Sequence, residues 1–246
     1  MTTHKAAATI ALVAAGMSSV FASPAQAQPP TTPPTSTAFS ATVFQRDQLA
    51  VEHEILARQV QLVLIGTNLA DAANVTTSDR AALTTIITNE QSALETDANN
   101  AAAATTEAQL EAVRQAMIVD ERVYLVVSAQ FGLVIQADNE TVTEGGYTGL
   151  VTELTPLVTE LNRPRATALL ADITSRVTAA TSLTSGVSAD ALGLSPSGYP
   201  GNESQIKTWG YQLGQAANDL AIAKADVKAI EAIALGVRGL PFRRAV

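Results

Sequence analysis

The chain has no cysteine among its 246 residues. A thiol nucleophile, a disulfide framework, a cysteine zinc site and a lipid-modified N-terminal cysteine are therefore excluded. Histidine is nearly as scarce: there are 2 copies, His4 and His53. A clustered histidine metal site cannot be built from them. Aromatic residues make up 4% of the chain, which leaves little material for an aromatic-lined cleft. Basic side chains are outnumbered 15 to 23, for a formal net charge of −8. Such a chain lacks the basic surface that releases counterions from phosphates, so no nucleic-acid partner is expected. No G-x-S-x-G, H-E-x-x-H, Walker loop or dinucleotide fingerprint occurs.

What is present begins with an address. His4 and Lys5 form a weakly positive start, Ala6 to Ala22 is an uncharged small or apolar run, and Ala25-Gln26-Ala27 fits an A-x-A cleavage site. Residues 1–27 read as a secretory signal peptide, and the lack of twin arginines favours the general export route. No later run reaches 18 apolar residues, so no transmembrane segment is expected after signal removal. Leu240-Pro241 has no hydrophobic tail after it, so a sortase-type wall anchor is not expected. Residues 28–40 are rich in proline and threonine and read as a solvated, polyproline-like linker. A glycosylated spacer is the sharper alternative.

From 41 to 238 the pattern is helical. Ile206, Trp209, Leu213, Ala216, Leu220, Ala223, Val227, Ile230, Ala234 and Val237 recur at steps of three and four, a heptad seam with the charged residues off it. Asn202 and Gln205 suggest a capping box at its start. Phe44, Gln48, Val51, Ile55, Arg58, Leu62, Ile65 and Leu69 repeat the pattern. Leu49, Leu56, Val60 and Val63 widen that face, so this helix is expected to meet two neighbours. Further seams run through Leu83, Ile86, Ile87 and Leu94, through Leu150, Leu154, Leu157 and Leu161, and through Ala166, Leu170, Ile173, Val177 and Ala180. Thr106 with Gln109 gives another capping box. Pro156 predicts a kink or a restart. The β-branched run from Ile118 to Val127 is read as helix, since a lone strand would have no partner, with a kink at 128–132. The expectation is an all-α fold, an elongated antiparallel bundle of five to six long, partly coiled-coil-like helices. A junction between two halves is placed near 138–146, and 239–246 is read as a tail.

Few residues carry chemistry. His53 stands between Glu52 and Glu54, but sequence neighbours on a helix point about 100° apart, so the trio does not converge. Asp138, Glu140, Glu144, Glu153 and Glu160 read as a solvated acidic face. No catalytic residue, cofactor or metal ligand is assigned. Possible partner contacts are Arg122 and Tyr124 in the apolar run, Tyr199 in the loop 193–201, and Trp209 and Tyr211 beside it. Trp209 also fits the core seam.

The run ERVYLVVSAQFGLVIQADNE, with TTSDRAAL before it and LSPSGYPGNESQI after it, resembles a group of uncharacterised secreted helical proteins of actinobacteria. Where that group carries a proline in the apolar run, this chain has Ser128-Ala129. The resemblance implies an exported helical fold and no particular activity. The expected function is a non-catalytic exported protein acting at or near the bacterial envelope through contacts with a protein or a cell-wall component. The heptad seams would also allow an oligomer. A carrier of an apolar ligand between helices and a carboxylate-dependent envelope hydrolase are the alternatives.

Overall fold

The structure, a computed structural model, describes residues 36–238. The signal-peptide reading at 1–27, residues 28–35 of the linker reading and the tail at 239–246 lie outside the described residues. The described chain is all-α, with no strand among the described residues. Its helices are α1 (Ser36–Asp71), α2 (Thr77–Ala103), α3 (Glu107–Ala116), α4 (Ser128–Leu161), α5 (Pro164–Thr184), α6 (Val187–Leu192) and α7 (Glu203–Arg238). The first helix begins at Ser36, so it takes in the last residues of the stretch read as linker.

Local signals set most boundaries. The Thr76 side chain accepts from the Asp79 amide and starts α2. Thr106 and Gln109 form a complete capping box at α3. The Arg80 guanidinium donates to the carbonyls of Leu69 and Ala72 and so satisfies open acceptors at the end of α1. Asn162, with φ 47°, ends α4 in the left-handed conformation, and Pro164 opens α5 two residues later. Many threonines lie inside the helices. Thr88, Thr143, Thr178 and others donate their hydroxyls to the carbonyl four residues back, which satisfies the polar group where it stands.

Two hydrophobic cores form. The first gathers α1, α2, α3, the start of α4, α6 and the start of α7, through residues such as Ile55, Leu62, Leu83, Leu94, Leu110, Phe131 and Leu213. The second is a three-helix bundle of α4, α5 and α7, through Leu154, Val158, Ala166, Ile173, Ala180, Leu220 and Ile230. Only α4 and α7 contribute to both. At 36 residues, α7 is ~54 Å long and spans them end to end.

The cores meet at 138–146. No chain junction occurs there, because α4 is unbroken from Ser128 to Leu161. Pro156 does not restart it either, because the apolar face at Leu154 and Val158 stays packed in the second core. The loss is one backbone hydrogen bond. Two acids read as solvated are in fact buried at this waist, Asp138 and Glu144. Asp138 accepts from the Thr76 amide at 3.0 Å, and Glu144 accepts from the Thr184 hydroxyl at 2.8 Å. Asn202 is not a capping box: its Nδ2 donates to the Ser195 carbonyl, and its Oδ1 is buried without a hydrogen bond.

Leu220 is 4% exposed in the second core. Leu220→Asp places a charge there and should cost roughly 3–5 kcal/mol, read as a large fall in thermal midpoint. An unchanged midpoint would contradict the packing of α7.

Candidate functional site

The stretch between α3 and α4 is not regular α-helix. Met117–Glu121 and Val123–Val127 are two π-helical turns, hinged at Arg122. Ile118, Val119, Val123, Val126 and Val127 are all β-branched, and such side chains crowd the turn before them in an α-helix. The wider π turn relieves that crowding. The break therefore falls at Arg122, and the expected kink at 128–132 is absent, since those residues open α4.

Arg122 has φ 36° and ψ 41°, a left-handed conformation that costs a residue with a Cβ about 1–2 kcal/mol. Its side chain explains how the turn is held. Nε donates to the Val119 carbonyl at 3.0 Å, and the guanidinium lies over the Tyr199 ring at 5.0 Å. The π turns divide their side chains between the interior and solvent. Val123 and Val127 enter the first core, and Val126 is buried as well. Ile118, Val119, Tyr124 and Leu125 stay exposed.

These exposed residues adjoin α1. The Arg58 guanidinium sits over the Tyr124 ring at 5.5 Å, and Gln61 lies against Ser128. On α1 the expected core seam is right: Val51, Ile55, Leu62, Ile65 and Leu69 are buried. The widened face is not. Leu49, Leu56, Val60 and Val63, expected to meet a second neighbour, are 65%, 55%, 51% and 59% exposed, and Leu64 is exposed as well. Among the described residues, nine of the eleven large exposed hydrophobics lie on α1 or on the π turns. Concentration on adjoining elements distinguishes a surface built for contact from scattered apolar residues.

The five residues singled out from the sequence do not converge. Arg122 and Tyr199 are brought together, and Tyr124 is displayed nearby against Arg58. Trp209 is buried in the first core, the role its seam position also allowed. Tyr211 is 68% exposed on α7, where its hydroxyl accepts from Gln215. What sequence reading missed is the outer stripe of α1, which it took for a packing face.

Elsewhere the titratable groups serve packing. Arg176 on α5 bridges Asp172 and Asp219, each at 2.8 Å, and ties α5 to α7. The Arg176 hydrogen bond holds the Asp172 carboxyl below the usual range, while burial pushes Asp226 beside it up. Asp79 and Asp138 share the waist with Ser188, and burial raises the Asp138 pKa. These acids lie in no aromatic-lined cleft. His53 is exposed on α1, and among the described residues no group of three or more His, Asp or Glu side chains is placed to hold a metal ion. Two hollows among the described residues are open: one of about 560 Å³ beside Gly210, Tyr211 and Gly214, and one of about 340 Å³ between α2 and α3. Among the described residues, no helix is long and apolar enough to cross a membrane. In comparisons with known proteins, no family model matches the chain, and no curated protein or solved structure matches it.

Glu90, half-buried on α2, is pushed by burial from 4.5 to about 7. The folded chain then holds this proton more tightly than the unfolded chain. Stability should rise as pH falls through about 7 towards 4.5, and should be lost as pH rises through about 7. With solvent reaching part of the carboxyl, the effect is on the order of 1 kcal/mol. Glu90→Gln should raise the thermal midpoint at pH ~8 and flatten its pH dependence. A lower midpoint at that pH would contradict the assignment.

Proposed function

We propose that the protein is exported and works at or near the bacterial envelope as a non-catalytic interaction protein, presenting an apolar helix face to another protein. The observation that carries this reading is the outer stripe of α1. An exposed heptad face of this length suits helix-to-helix docking. Export is supported by the N-terminal address and by the resemblance to secreted helical proteins. Arg176 with Asp172 and Asp219 ties α5 to α7, and the hollow beside Tyr211 is an open groove, so neither hydrolysis nor carriage of an apolar ligand gains support.

Fractionation of producing cells tests it. Blotting of the medium, the salt-washed wall and the membrane should find a chain that begins near Gln28 in the wall fraction, released by salt or wall digestion. A chain that keeps residues 1–27 and stays in the cytoplasm would contradict export. A processed chain found wholly in the medium would contradict retention at the envelope.

A further inference from the structure

The outer stripe of α1 has a register of its own. Thr42, Arg46, Leu49, His53, Leu56, Val60, Val63, Thr67 and Ala70 follow steps of four and three, and all are exposed. They form a second heptad seam on the side of α1 opposite its core seam. The Thr67 hydroxyl donates to the Val63 carbonyl, so its polar group is already engaged.

This seam is self-complementary in one orientation. Laid antiparallel on a second copy about a two-fold axis level with position 58 along the helix, Leu56 meets Val60, His53 meets Val63, Leu49 meets Thr67 and Arg46 meets Ala70. Arg46 then lies next to the partner copy's Asp71. Both groups are exposed, and Arg46 has only its sequence neighbour Asp47 at 3.4 Å to leave. Along the flanks Gln59 faces Gln59 and Glu52 faces Gly66, so no like charges oppose. Parallel pairing would instead set Arg46 on Arg46 and His53 on His53. A membrane surface fits less well. Asp47, Glu52, Glu54 and Asp71 border the stripe, and Arg58 is engaged with Glu54 and Tyr124. Interfacial helices carry a basic border towards anionic headgroups.

We propose that a second copy of this chain docks antiparallel on the outer face of α1. This rests on reading that face as an interaction surface. Its failure leaves the fractionation result standing, because export and retention are measured separately.

Sedimentation equilibrium of the purified protein between about 1 µM and about 1 mM should show the mass rising from one chain towards two. Leu56→Glu and Val60→Glu should each hold it at one chain with unchanged melting, since both side chains are exposed. His53→Leu should tighten association at least ~10-fold, because a polar residue on a seam costs stability. Arg46→Asp should weaken it, and adding Asp71→Arg should restore it. Orientation is read in this cysteine-free chain by introduced thiols. Mixed Leu49→Cys and Thr67→Cys chains should cross-link to each other, and neither should cross-link to itself.

Four results would overturn the proposal. One is a single-chain mass at every concentration. Another is a dimer that survives both glutamate variants. A third is self-cross-linking of Leu49→Cys, which requires parallel pairing. The last is a monomer that floats with phosphatidylglycerol vesicles and loses them on Leu56→Glu, which assigns the face to lipid.

Discussion

The apolar seam of α7 has to be covered along its whole ~54 Å, and the other elements are arranged by that requirement. No single partner covers it. Its first turns, at Trp209 and Leu213, are closed by the first core, and the rest by α4 and α5. Because α4 also passes through both cores, the two packing units are joined by two continuous helices rather than by a linker. The helices α4 and α7 run parallel with α5 antiparallel between them, which puts Arg176 beside Asp219 and Glu144 beside Thr184. The waist is polar because the α1–α2 loop and α6 meet α4 there, and their backbone groups need partners. Asp138 and its neighbours supply them.

The seams of α7 and α5 were readable because long runs of apolar residues at steps of three and four admit one periodicity. The α3 cap was readable for a similar reason: Thr106 and Gln109 stand at the one spacing that satisfies two open amides. Three features were not readable, each for a physical cause. Arg122 takes a left-handed turn without a glycine or asparagine to announce it, held by contacts with Val119 and Tyr199 that lie outside any local pattern. Asp138 and Glu144 stand at helical spacing from buried Val134 and Leu154, but as acids they look solvated until the waist closes over them. The stripe of Leu49, Leu56, Val60 and Val63 shows in sequence as a face to be covered, but periodicity does not say by what.

That last point connects fold to function. Two apolar faces on one helix normally mean two neighbours within a chain. Here α2, α3 and α4 cover one face, and the other is left to solvent at over half exposure. Leaving four or five large aliphatic side chains in water carries a solubility cost that single exposed residues do not. The exposed π-turn residues Ile118, Tyr124 and Leu125 form a second apolar group. An interaction role at the envelope accounts for the stripe, and self-association accounts for its register.

The most direct measurement is accessibility of α1 where the protein works. A Leu56→Cys chain can be labelled with a membrane-impermeant maleimide in producing cells and again as dilute purified protein, with Tyr211→Cys as the exposed control. The account predicts that position 56 is shielded in the producing culture and reactive when dilute, while position 211 reacts in both. Equal reactivity of position 56 in the two settings would contradict it, because the face would then be bare where it is supposed to be occupied.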